Sequence, residues 1–106
     1  MTTPESGQPS TERLPVISPS GEFDLDNLPV LEAQITALIA THPGLILDAG
    51  GITFADSMFL RLVLATHQRT NLRIAAPSPT VARLLGVVGA DHFLCIHPTV
   101  EAARAA

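Results

Sequence analysis

Hydrophobic positions along the chain change their period several times, and each change marks an element. Residues 14–18 (LPVIS) form a short apolar run. Pro15 cannot donate to a strand ladder, so this run predicts an edge strand or a strand start. Pro19-Ser20-Gly21 reads as a turn. From Asn27 the period becomes helical: Leu28, Leu31, Ile35, Leu38 and Ile39 recur at three- and four-residue spacing on one face. Asn27 is a candidate N-cap, Pro29 is tolerated in the first turn, and His42-Pro43-Gly44 ends the helix. Residues 45–48 are apolar without alternation, which suits a strand buried on both faces. Gly50-Gly51 reads as a break with a tight turn.

Asp56 can cap a second helix running to about Arg69. Residues 72–76 are the next strand candidate. Ser78 as N-cap and Pro79 at the first helical position open a third helix through Val87. Residues 93–96 predict a strand, and residues 98–106 a closing helix with Thr99 as cap. Strands and helices thus alternate with short connections. This predicts an α/β domain with a small, mostly parallel sheet of four to five strands and about four helices, spanning residues 13–106. Residues 1–12 show no periodicity and are rich in Thr, Pro, Ser and Glu, which predicts a disordered tail.

Composition narrows the function classes. Of the 106 residues, 46% are apolar and 15% charged, which is too apolar for a disordered chain. Ten acidic against six basic residues give a net charge of −4, a poor footprint for nucleic acid. All six basic residues are Arg, which removes lysine chemistry. A single cysteine excludes an internal disulfide and an all-cysteine metal site, and Cys95, between Leu94 and Ile96, reads as a buried structural thiol. His42, His67, His92 and His97 read as surface or cap residues. His92 and His97 start on opposite faces of the predicted strand. No apolar run approaches the roughly 20 residues that span a bilayer, and no signal peptide opens the chain, so the expected compartment is the cytoplasm.

The chemistry concentrates in residues 45–64, LILDAGGITFADSMFLRLVL. A buried strand leads through a loop to Asp56-Ser57 at a helix start. Helix N-termini carry free N–H groups and partial positive charge, so a phosphate on Ser57 would be well accommodated; equally, Asp56-Ser57 could be only a good cap pair. Gly50-Gly51 lacks the spacing of a phosphate loop, and no GxSxG elbow or sequence-defined histidine partner accompanies Ser57, so no enzyme is expected.

Gly21-Glu22-Phe23-Asp24 matches one further pattern together with Leu47-Asp48 and Ile52-Thr53-Phe54-Ala55-Asp56-Ser57. Leu72-Arg73-Ile74, residues 79–85 and residues 96–102 continue it in order. Residues 21–105 resemble the STAS domain of bacterial anti-sigma factor antagonists. The resemblance implies a small sheet flanked by helices. It implies a partner that is both anti-sigma factor and ATP-dependent serine kinase, with a phosphatase as a further partner. The unphosphorylated protein would bind that partner and free the sigma factor; phosphorylation of Ser57 would end the binding. Asp24 and Asp56 take the family's acidic positions. Asp24, Asp56, Ser57, Met58, Phe59 and Arg61 would form the contact surface, without cofactor or metal. Where the family continues with a second hydroxyl residue and a glycine, this chain has Met58-Phe59. Glycine admits close backbone approach; Phe59 either joins the core or serves as an aromatic anchor, and Met58 is an adaptable contact. The family also supplies constitutive subunits of larger assemblies, such as stress-sensing complexes or partners of lipid-transport ATPases, and this is the alternative reading.

Overall fold

A parallel sheet ordered β1-β3-β5-β6 carries the core: β1 (Val16–Ile17), β3 (Gly44–Asp48), β5 (Asn71–Ala75) and β6 (Cys95–His97). The computed structural model describes residues 14–24 and 26–106, so the expected tail at residues 1–12 lies outside the described residues. The unbroken apolar run of β3 follows from helices on both faces. Leu45 and Leu47, with Leu72 and Ile74 of β5, point into the main core. There they meet α1 (Leu28–Ile39), α2 (Ser57–Arg69) and α3 (Pro79–Val87) through Leu31, Ile35, Phe59, Val63, Val81 and Leu85. Ile46 and Ala75 point the other way, towards Leu14 and Ala103 of α4 (Val100–Ala105). Arg73 shares that second face and is buried, and its Nη1 donates to the Ala103 carbonyl at 2.6 Å, which satisfies one of the carbonyls a helix end leaves open. At Gly44 a Cβ would collide with the Asn71 carbonyl, so the start of β3 requires glycine.

Local chemistry sets the helix starts. Ser78 accepts from Val81 N at 3.3 Å, and Thr99 from Ala102 N at 3.0 Å. Residues 79–87 are helical as predicted, and the closing helix expected over residues 98–106 spans Val100–Ala105. Asn27 stands at the N-cap position of α1 but caps nothing there, because its side chain serves the preceding turn.

Five expectations are corrected. Residues 19–21 do not form a free turn, and residues 50–55 are not a loop. Ser20–Phe23 is a strand, β2, paired in parallel with β4 (Gly51–Ala55) as a separate two-stranded ribbon. The chains that pair as β1 and β3 therefore bend at Pro19 and at Ala49-Gly50 and pair again beyond the bend. Gly21 has φ +95°, at a register shift between Gly21 and Glu22, so its conformational freedom serves a bulge. The strand predicted over 93–96 is Cys95–His97 instead. A 3₁₀ turn, Ala90–His92, precedes it, entered through Gly89 at φ +76°. His92 therefore lies outside the strand, and the facing argument for His92 and His97 does not hold. Cys95, expected to be buried, is exposed on this edge strand.

Candidate functional site

β2 and β4 run in parallel, and their last pair is Phe23 with Ala55. The next residues on each chain are Asp24 and Asp56. The ribbon thus delivers both carboxylates, and Ser57 behind Asp56, to one end of the molecule. Residues 32 positions apart become neighbours in register, which periodicity could not show.

Each side of this end is fixed locally. Asp56 is extended (φ −128°, ψ −166°). Its Oδ1 accepts from Met58 N at 2.9 Å and, more weakly, from Phe59 N at 3.4 Å. Two of the four N–H groups that open α2 are therefore already occupied by a carboxylate. On the other side, Asp24 Oδ1 accepts from Asp26 N at 2.9 Å, an Asx turn. Asp24 N donates to Asn27 Oδ1 at 2.9 Å, the Asn27 side-chain amide donates to the Glu22 carbonyl, and Leu28 N donates to the Asp24 carbonyl at 3.0 Å. Asn27 thereby ties the end of β2 to the start of α1.

Ser57 is the first residue of α2 and is exposed, and among the described residues its hydroxyl makes no hydrogen bond. Phe59, two residues on, points the opposite way and is 0% exposed. Its ring lies 6.3 Å from that of Phe23, tilted by 44°. Phe23 precedes Asp24, so this aromatic pair clamps the two acidic turns from beneath. Phe59 is therefore a core residue and offers no surface to a partner, which corrects its expected place in the contact set. Met58 is half-buried against the core. It lines a groove of about 210 Å³ between α1 and α2 with Leu28, Leu62 and Ala65, and with Glu32 and Arg61. The structure brings Asp24, Asp56 and Ser57 together through register, and joins Met58 and Arg61 to them along α2.

Two features escaped the sequence reading. Glu32 shares the Met58–Arg61 groove only through helix packing. A second groove, about 380 Å³, lies between β4 and α3 and is lined by Ala55, Pro79, Thr80, Arg83, Leu84 and Val87. It depends on β4, which the sequence did not show as a strand. The histidines belong elsewhere: His42 Nδ1 lies 3.0 Å from the Leu38 carbonyl at the end of α1, and His67 packs its ring 6.2 Å from that of Phe93. Among the described residues no cluster of His, Cys, Asp or Glu is arranged to hold a metal, and no helix is long and apolar enough to cross a membrane.

Comparison with known proteins gives the family. The family model described as "Mlab, STAS domain" matches residues 6–97. The structure of an anti-sigma factor antagonist from Mycobacterium paratuberculosis superposes with a TM-score of 0.77 at 30% identity, covering 85% of this chain and 81% of that one. The anti-sigma factor antagonist SpoIIAA in its unphosphorylated form superposes with a TM-score of 0.66 at 24% identity, covering 79% and 80%, a likeness of fold. No curated protein sequence matches the chain. With 92 of its 106 residues inside the family model, and with the strand–helix order that the resemblance implied, the chain belongs to the STAS domain family.

Proposed function

We infer that this protein is an anti-sigma factor antagonist, a binding module rather than an enzyme. It binds an anti-sigma factor that is also a serine kinase, in the cytoplasm, and phosphorylation of Ser57 ends the binding. The observation that carries this reading is an exposed, unbonded Ser57 hydroxyl directly after Asp56, at the end of the ribbon where Asp24 also emerges. The anti-sigma factor antagonist at 30% identity supports the partner class.

The electrostatics give the switch its direction. A phosphoserine adds nearly two negative charges at neutral pH. The Met58 and Phe59 N–H groups, which would otherwise favour an anion, are already held by Asp56. Added charge at this end is therefore largely uncompensated by the backbone. In a packed contact it brings like-charge repulsion and desolvation of several kcal/mol, enough for orders of magnitude in affinity. A phosphatase then restores the binding form.

The test is phosphopeptide mapping of the protein isolated from its own cells, beside Ser57→Ala. The expected result is a phosphate on Ser57 that is absent from the variant, together with capture of the kinase by the unphosphorylated protein. A Ser57 that stays unmodified across growth and stress conditions would refute the switch. It would favour a constitutive subunit of a larger assembly, with the Met58 groove as its contact.

A further inference from the structure

Arg61 lies four residues after Ser57 on α2, one turn along the helix and about 6 Å further along its axis. Both side chains are exposed. Residues at this spacing are neighbours on a helix surface, and an anion N-terminal to a cation is the favourable order. Among the described residues Arg61 makes no hydrogen bond or ion pair. It lines the α1–α2 groove with Met58, across from Glu32. The other source of compensation for a Ser57 phosphate, the N–H groups of Met58 and Phe59, is occupied by Asp56.

We propose that Arg61 is the internal counter-ion of a phosphorylated Ser57: its guanidinium leaves the α1–α2 groove and closes on the phosphate. Resting on the reading of Ser57 as the phosphoacceptor, the inference adds a second action to the switch. Phosphorylation not only places negative charge at the end of the ribbon but also withdraws a cation from the groove beside it. The groove then keeps Glu32 and loses its opposite charge. A guanidinium suits this role because its planar fork takes two phosphate oxygens at once, and a lysine would act only as a point charge.

The experiment places phosphoserine at position 57 of the full chain by genetic encoding, which makes the pairing readable whatever the cell does to Ser57. Phosphorus NMR then follows the second ionisation of the phosphate in the parent chain, Arg61→Gln, Arg61→Lys and Arg69→Gln. Arg69 lies 12 residues from Ser57, about 18 Å along the helix, and serves as the control for net charge. A guanidinium paired with the dianion lowers the ionisation midpoint. Arg61→Gln should raise it by about 0.3 pH unit relative to the parent, which is the size of an i,i+4 pair expressed in pH. Arg61→Lys should restore part of the difference, and Arg69→Gln should match the parent. Equal midpoints in the parent and Arg61→Gln would overturn the pairing and leave the Ser57 switch standing. An equal rise in Arg61→Gln and Arg69→Gln would also overturn it, as an effect of net charge alone. A Ser57 found unmodified in cells would overturn the reading beneath it, and with it the regulatory role of Arg61.

Discussion

Phe59 stands where the family pattern has glycine, and its burial makes a sharp prediction. The ring is 0% exposed, at the contact between α2 and the ribbon, 6.3 Å from Phe23. Truncation to alanine removes a fully buried aromatic and leaves a cavity, which costs about 3–5 kcal/mol in well-packed cores. The lost ring pair is within that range, since such pairs contribute about 0.5–1.5 kcal/mol. A domain of this size holds about 5–15 kcal/mol in total, so Phe59→Ala should remove a large part of it. Urea unfolding followed by far-UV circular dichroism reads the change directly. With a slope of about 2 kcal/mol per molar urea, a loss of about 4 kcal/mol moves the midpoint down by about 2 M. Phe59→Leu should lose about half as much, because it keeps an apolar side chain in the site. An interfacial anchor would behave in the opposite way: the midpoint would hold and partner binding would collapse. A Phe59→Ala midpoint within about 0.3 M of the parent would refute the placement of Phe59 in the core.

Two further outcomes are expected. Asp56→Ala loses the side-chain acceptor for Met58 N and Phe59 N and should destabilise the domain by about 1 kcal/mol in thermal unfolding, whereas Asp56→Asn should retain most of the cap; equal losses in both would show that the cap hydrogen bonds contribute nothing. Met58→Ala, at a half-buried position on the α1–α2 groove, should weaken capture of the anti-sigma factor at least tenfold in a titration while changing the melting temperature by only a few degrees; a large stability loss with intact binding would remove Met58 from the contact surface.

The elements legible in the sequence are those with local signals. Ser78-Pro79 fixed the start of α3 because the cap and the proline act within one turn. The run over residues 45–48 identified a strand buried on both faces, because each face of β3 meets a helix. β2 and β4 were hidden for a physical reason. Pro19-Ser20-Gly21 carries turn chemistry, and β4 begins with a glycine, yet each strand finds its hydrogen bonds in the other. Propensity was overridden by a pairing between segments 31 residues apart at Ser20 and Gly51. The same limit applies to the site. Asp56 and Ser57 could be read as a cap and a first helical residue, and the structure places them so. The place of Asp24 at the same end follows only from the parallel register, and the shared groove of Glu32 and Arg61 only from helix packing. Cys95 was misread because β6 lies at the sheet edge, and a lone strand pattern does not show which strand is last.

The arrangement separates what holds the fold from what a partner would read. Beneath the acidic turns, Phe23 and Phe59 pack as a buried pair, and the Asx turn at Asp24 and the cap at Asp56 fix the backbone on either side. Ser57 projects outward from this rigid base and supports nothing in the core. A charge added at such an exposed position interacts through high dielectric, so its effect on folding stability is about 1 kcal/mol or less. The same charge enclosed between two surfaces loses its water and meets the Asp24 and Asp56 carboxylates at low dielectric, where the cost is several times larger. The difference between these two environments would give the proposed Ser57 switch its selectivity. One phosphorylated hydroxyl would then govern association over orders of magnitude while the domain that displays it stays folded. Replacing the family's glycine with Phe59 strengthens this separation, because the substitution adds to the base and leaves the displayed surface to Ser57, Met58 and Arg61.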